Sequence, residues 1–384
     1  MTRPLAGPQS LLRTLNGRAI LDTLAQKGPQ TRAELMAATG LSRTAVTQVL
    51  RMLETAGAIA AAGVDRETRG PAAGRMALHP RLGFAAAVHI DHHGAHVVLV
   101  DTTGTVRAEQ HGPFPYAAPV NRDDRVAHIA NLVEACRRSV KGPLLLAVVG
   151  VPGIVTADGG IRDDQGPDGG AFRAALASRI GCPVRVENDV NLAALAELTS
   201  GAGGELSSFA LLLLDDGLGA GIVIDGALHR GASGVAGEVM HLPQTPLPIG
   251  APVLNEAVVG DLALVNDRDP GAPVETHLDA ASKGDPAAQR IVDEMGRRIT
   301  LIAGSVALVL DPEAFILSGT AAHPVLVDAV SRVADSYAAQ LPLRFLVSSF
   351  GPEAPLVGAV GEAASALRAS VFSRILAPSP RPPR

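Results

Sequence analysis

Two hydrophobic rhythms divide this chain. From residue 11 to about 62, apolar side chains recur every three or four positions, the spacing of helices with one buried face. From residue 84 onward the pattern changes to short runs of Val, Ile, Leu and Ala, of strand length, alternating with helical stretches. In the first part, Leu15, Ala19, Ile20 and Leu24 mark one face of a helix that stops at Gly28-Pro29. Thr31 is placed to cap a second helix, with Glu34 three residues later completing a capping box and Gly40 ending it. Ser42 is placed to cap a third helix, whose Val46, Val49, Leu50 and Leu53 share a buried face. The opposite face of that helix carries Arg43, Thr44, Thr47, Gln48 and Arg51, side chains able to donate to phosphates and base edges. Beyond Gly57, IAAAG, VDRETRGPAAG and RMALHP read as strand, loop and strand, with Arg66, Arg69 and Arg75 toward the loop.

The later pattern predicts an α/β unit. FAAAVHIDHHGAHVVLVDTTGTV reads as two strands joined by a turn, residues 124–140 as a helix, and LLLAVVGVPGIV as a buried strand running into a Gly-Val-Pro-Gly turn. VRVEND is a strand that feeds the helix VNLAALAEL, and ITLIAGSVALVLDPEAFILSG is a helix followed by a strand. LLLLDDGLGAGIVIDG, residues 211–226, reads as a hairpin. A glycine turn of this kind is either a plain hairpin or a phosphate cradle, and Asp215 and Asp216 at its mouth repel an anion. Such an order fits two lobes around a cleft.

Charge sharpens the division. The net charge is −5 over 384 residues, yet residues 1–80 carry ten Arg and Lys against five Asp and Glu, a local excess of +5. A small basic module in front of a larger acidic one points to a polyanion that meets the front end alone. With 3% aromatic residues and no Trp, the chain lacks a stacking platform for single-stranded nucleic acid, so duplex DNA is the expected partner. The bland alternative for the front end is a three-helix protein-interaction module with a solvated polar face. No apolar run approaches the roughly 18 residues of a membrane span, and the opening MTRPLAGPQS has no signal-peptide core, so a cytoplasmic location is expected. Cys136 and Cys182 are too few for a disulfide framework or a cysteine zinc site.

TRAELMAATGLSRTAVTQVLRMLETAGAI resembles the winged helix-turn-helix of bacterial regulators. The pieces VHIDHHG, GVPG, VENDVNLAALAE, the glycine hairpin through GALHRGASGVAGEVMH, and LDPEAFILSG together resemble the ROK family, which groups sugar kinases with sugar-responsive repressors. The resemblance implies an α/β architecture: an N-terminal winged helix-turn-helix, residues 1–80, followed by a two-lobed actin-like ATPase domain. Its first lobe is expected over 81–190 and its second over 191–384, with a C-terminal helix returning to the first lobe and a disordered tail at 377–384. Expected DNA-binding residues are Arg43, Thr44, Thr47, Gln48, Arg51, Arg69 and Arg75.

Carried over residue by residue, the resemblance places a sugar between Asn188, Asp189, Glu238, His241 and Glu256, with Asp189 at the position of the kinases' general base. Carboxylates and amides suit the hydrogen bonding of a polyol in any case. The alternative is that Asn188-Asp189 only cap the helix that follows and that Glu238 is solvated. In the kinases the first phosphate turn reads Asp-x-Gly-Gly-Thr-Lys; here it is Asp91-His92-His93-Gly94-Ala95-His96, with the hydroxyl and lysine gone. The second is Gly-Thr-Gly-x-Gly-x-Gly in the kinases and begins Asp215-Asp216-Gly217 here. Catalysis is therefore not expected. The family's structural zinc is not expected either, because its cysteine positions hold Leu247, Ile249 and Leu254, while Gly250 is kept and Val253 replaces the second glycine. No cofactor or metal is expected. The expected function is a DNA-binding transcriptional repressor sensing a sugar or sugar derivative, acting as a homodimer or homotetramer on an inverted-repeat operator, with no membrane partner. The alternatives are a sugar kinase with an appended DNA-binding domain, and a regulator with a vestigial pocket controlled by a protein partner.

Overall fold

The computed structural model describes residues 9–65, 73–91, 94–114, 122–162, 169–215, 217–242 and 252–377. Arg69, His92, His93, Asp216, Leu247, Ile249, Gly250 and all but the first residue of the expected tail lie outside them.

The front end comprises α1 (Gln9–Lys27), β1 (Gln30–Thr31), α2 (Arg32–Thr39), α3 (Arg43–Thr55), β2 (Ile59–Asp65) and β3 (Ala73–Leu78). Its local signals act as expected. Thr31 and Glu34 form a reciprocal capping box, Gly40 takes the left-handed conformation at φ 68°, and Ser42 caps α3 through the Ala45 N–H. Val46, Val49, Leu50 and Leu53 are all buried. β2 and β3 form the antiparallel wing, and the two-residue β1 pairs with β3 to complete a three-stranded sheet. One expectation fails. Leu15 is 55% exposed, and the buried stripe of α1 runs through Ile20, Leu21 and Leu24 instead. The first turns of α1 extend past the small three-helix core, leaving Leu11, Leu12 and Leu15 exposed.

The large unit repeats one plan. β4 (Phe84–Ile90), β5 (Gly94–Val100) and β6 (Val106–Pro113) form an antiparallel meander; α4 (Arg122–Arg138) follows, then β7 (Leu144–Val151), the short β8 (Ile154–Val155) and β9 (Ile161–Arg162), α5 (Gly169–Ile180) and β10 (Val184–Asn188). β7 and β10 add to the meander in parallel, in the order β10-β7-β4-β5-β6. After α6 (Asp189–Ser200), β11 (Phe209–Leu214), β12 (Leu218–Ile224) and β13 (Ala227–Leu228) form a second meander. α7 (Glu256–Leu264), α8 (Val274–Ser282), α9 (Pro286–Leu310), β14 (Ala314–Gly319), α10 (Pro324–Tyr337), β15 (Phe345–Val347) and α11 (Ala354–Leu376) complete the chain. The second sheet has the matching order β13-β12-β11-β14-β15, with β14 and β15 again parallel additions. Strands buried on both faces read as unbroken apolar runs, which is why FALLLL shows no alternation.

α4 and α5 cover one face of the first sheet through Ile129, Val133 and Leu176. α8, α9 and α10 cover one face of the second through Ile291, Met295, Ile299 and Leu326. Between the sheets lie α6 and α11. α6 packs on β11 and β12, α11 on β4 and β7, and the two helices pack on each other more extensively than any other pair of elements.

Candidate functional site

The polar residues of the large unit gather where α6 starts. Asn188 sits at the N-cap in an extended conformation, its Oδ1 accepting the Asn191 N–H at 2.9 Å. Its Nδ2 donates to Gly153 O at 3.0 Å, so the side chain joins the Gly-Val-Pro-Gly turn to the helix start. Both ends of this amide are therefore engaged within the protein. Asp189 is the first helical residue, 8% exposed, and its Oδ1 accepts the Val190 N–H at 2.8 Å. Burial pushes its carboxyl up to about 7, and the charges of Asp215 and Glu238 act in the same direction. Glu238 precedes the turn Val239–His241; burial raises its carboxyl as well, while the nearby His241 opposes that rise. Asp189, Glu238 and His241 thus come together from two segments. Glu256 lies exposed in the first turn of α7, behind an Asn255 cap that receives the Val258 N–H at 3.0 Å. An antiparallel bridge from Asn255 to Gly217 holds that helix start beside the glycine hairpin.

Three further polar residues belong to this cluster, and pattern alone did not single them out. Glu187 Oε1 accepts from the Asn188 N–H at 3.1 Å and from Asn191 Nδ2 at 3.0 Å, and its other oxygen accepts from Arg230 Nε at 2.7 Å. Asn191 Oδ1 is buried with no donor among the described residues. The signal for these residues lay inside the quoted VENDVNLAALAE and GALHRGASGVAGEVMH stretches, but the Glu187–Arg230 pair joins β10 to the segment after β13.

The glycines of the hairpin answer to packing. A Cβ at Gly219 would stand 2.7 Å from Val190 Cγ2, and one at Gly221 would stand 2.5 Å from Ala194 Cβ and 2.7 Å from Val190 O. β12 therefore lies directly on the first turns of α6, next to Asp189. Gly237, at φ 99°, approaches Ala220 O so closely that no side chain fits, which brings Glu238 alongside β12. In the first turn, Asp91 Oδ1 accepts the Gly94 N–H at 2.7 Å, and His96 turns across the sheet to Glu109 at 2.6 Å. At the third position expected of the zinc cysteines, Leu254 is fully buried in the apolar core with Val253. That donor set does not fit a zinc ion.

On the front end, Arg43, Thr44, Gln48 and Arg51 are exposed on one face of α3. Thr47 is half-buried, and its hydroxyl donates to Arg43 O at 2.8 Å. Among the described residues Arg43 and Arg51 make no ion pair, so their charges face solvent. Arg75 differs from the expected wing-tip position. Its guanidinium turns inward, donating to Pro29 O at 3.1 Å and to Glu34 Oε1 at 3.3 Å, because the capping-box carboxylate lies across from β3. Arg75 braces the wing against α2.

Comparisons with known proteins agree with this geometry. Residues 13–60 match the winged helix-turn-helix DNA-binding model, and residues 85–365 match the ROK family model. The chain is 26% identical over 350 residues to the DNA-binding transcriptional dual regulator NagC of Escherichia coli (strain K12), covering 84% of this chain and 85% of that one. It is 21% identical over 374 residues to the xylose repressor of Bacillus subtilis (strain 168), covering 91% and 95%. Among solved structures, a ROK family transcriptional regulator described as a homolog of the E. coli MLC protein superposes with a TM-score of 0.72 at 21% identity, covering 95% of this chain and 99% of that one. A ROK family glucokinase from Streptomyces griseus, solved with glucose and AMPPNP, superposes with a TM-score of 0.62 at 24% identity, covering 74% of this chain and all of the other. No helix among the described residues is long and apolar enough to cross a membrane. With the family model running through both sheets and the residues gathered at the start of α6, the chain belongs to the ROK family.

Proposed function

We propose that this protein is a transcriptional repressor that reads duplex DNA with α3 and senses a sugar or sugar derivative at the start of α6, without phosphoryl transfer. The observation that carries the reading is the pairing of an exposed, ion-pair-free basic face on α3 with a polar cluster of Asp189, Glu238 and His241 in the large unit. Two relatives that match along most of the chain are named as a DNA-binding transcriptional dual regulator and as a xylose repressor. A polyol fits the cluster because Asp189, its carboxyl pushed up to about 7, can donate as well as accept near neutral pH, with the Glu238 carboxyl beside it as a further hydrogen-bonding group. Asn191 Oδ1, buried without a donor among the described residues, supplies a further acceptor.

Against phosphoryl transfer stand the exposed Asp215 at the hairpin mouth and the pairing of His96 with Glu109, where a kinase has a lysine. The kinase reading keeps one observation in its favour, the buried Asp189 with its carboxyl near 7, since a general base works best close to the ambient pH. A symmetric dimer or tetramer on an inverted repeat follows from the small surface a single winged module offers DNA.

Thermal-shift titration with xylose, N-acetylglucosamine, their phosphates and ATP tests the reading, coupled to gel-shift titration on duplex selected by the protein. A sugar is expected to raise the melting temperature and change DNA affinity, with Asp189→Ala and Glu238→Ala losing both effects while keeping basal DNA binding. Phosphorylation of a sugar by ATP and magnesium would sink the non-enzymatic part. A sugar response unchanged in both variants would sink the site.

A further inference from the structure

The core of the front end runs without a break into that of the large unit. Ile20, Leu21 and Leu24 of α1 belong to one continuous apolar cluster with Leu367, Val371 and Phe372 of α11, and the same cluster continues to Leu192 of α6 and Ala85 of β4. We infer that α11 mechanically couples the polar cluster at the start of α6 to the DNA-reading head, and that Arg18, Phe372 and Leu376 are the positioning residues at its far end.

Four contacts carry this. At the near end, Gly358 of α11 meets Leu192 O so closely that no Cβ fits between the helices, and Leu192 stands one turn after Asp189. Backbone lies on backbone there, so α6 cannot tilt without α11. At the other end of α6, the fully buried Glu197 accepts from the Ala202 N–H at 2.7 Å, from Ser348 Oγ at 2.6 Å and from the Ser349 N–H at 2.9 Å. It ties the last turns of α6 to the segment that launches α11. Twenty-three residues of helix then span about 34 Å at 1.5 Å per residue.

At the far end, α11 lies under α1. A Cβ on Gly17 would stand 2.5 Å from Leu376 Cδ2 and 3.4 Å from Met52 Cε, so this one position of α1 touches both α11 and the DNA-reading α3. The Arg18 guanidinium lies 5.3 Å from the centre of the Phe372 ring and pairs with Asp22 at 2.8 Å. A rotation of α6 is thereby passed along a stiff rod to the helix that buttresses α3. A packed interface of this kind has discrete arrangements and does not deform smoothly.

Coupling of two sites is reciprocal, so duplex bound at α3 must change the stability of the α6 start as much as a ligand there changes DNA affinity. The inference therefore rests on the DNA-binding part of the proposed function and on no particular effector. The test is amide hydrogen exchange of the full chain, free and saturated with duplex that the protein itself selects from a random pool. In the parent, duplex is expected to change exchange at residues 189–200 and 229–242 as well as in the head. In Leu376→Ala, and separately in Arg18→Gln at a half-exposed position that leaves the fold intact, the change is expected to stay within residues 9–78, with duplex affinity within threefold of the parent. Leu376→Met, which refills the contact, is expected to restore the distant change. A change confined to the head in the parent, or an equal distant change in both loosened variants, overturns the coupling alone. Failure to retain any duplex overturns the DNA-binding reading and the coupling with it.

Discussion

Replacing Asp189 by Asn isolates the cost of holding a charge at the start of α6. The carboxyl is 8% exposed and is pushed from its ordinary value near 3.8 up to about 7, first by burial and then by the negative charges of Asp215 and Glu238. A rise of about three pH units corresponds to roughly 4 kcal/mol at about 1.4 kcal/mol per unit, an upper figure because a charged interior relaxes and admits water. The sign follows from proton counting. Between about pH 4 and pH 7 the folded chain holds a proton that the unfolded chain has released, so the contribution of this group is full below about pH 4 and lost as the pH rises through about 7. Asn keeps an oxygen for the Val190 N–H and carries no charge. Asp189→Asn should therefore match the parent near pH 4 and exceed it by roughly 2–4 kcal/mol at about pH 8. For large domains each kcal/mol moves the melting temperature by about 2–4 °C, so a gain on the order of 5 °C or more is expected at the higher pH. Differential scanning calorimetry of both proteins at about pH 5 and about pH 8 measures it. Melting temperatures that fall in parallel with pH would refute the reasoning, because the charge at position 189 would then cost nothing.

Arg51→Ala removes an exposed donor from α3 and should weaken duplex binding by roughly 1–3 kcal/mol in a gel-shift titration, with the melting temperature unchanged. Arg75→Ala acts differently, because its partners are Pro29 O and Glu34. The head should lose stability, and any weakening of duplex binding should be the same for every sequence tested. Glu197→Ala strands the Ala202 and Ser349 N–H groups in a buried site and should cost roughly 2–4 kcal/mol by chemical denaturation, since a buried N–H left without its acceptor costs about 1–3 kcal/mol. Gly237→Ala forces a side chain against Ala220 O at a positive φ and should abolish any sugar-induced melting shift by moving Glu238 off β12.

What was legible in the amino-acid order is what short-range chemistry decides. The Thr31 and Glu34 capping box, the left-handed Gly40, the Ser42 cap and the buried face of α3 each depend on residues within a turn or two of one another. So does the cap at Asn188, whose partner Asn191 is three positions away. Period and cap are properties of a window, and a window is all that a single sequence displays. The nearness of Glu238 to Asp189 has no such local signal, and its expectation came from a resemblance and not from spacing.

Only the tertiary structure decided which apolar face of α1 is buried and where the long side chains end. Leu15 carries the helical period as well as Ile20 does, yet it stands beyond the edge of the head's core and is exposed. Arg75 reads as a wing-tip cation, but β3 carries it across to Glu34, and a carboxylate within reach outweighs solvent for a flexible guanidinium. The order of residues left the glycine hairpin open between a plain turn and a phosphate cradle, and only the structure shows that Val190 and Ala194 of α6 fill the space above Gly219 and Gly221. The contact of Gly17 with Leu376 joins opposite ends of the chain, and neither residue's neighbours hint at the other. Local order sets which elements form, because caps and periodicity act through bonds only a few residues long. Burial and pairing between elements depend on which surfaces meet once the backbone has closed on itself, and no window of sequence contains that meeting.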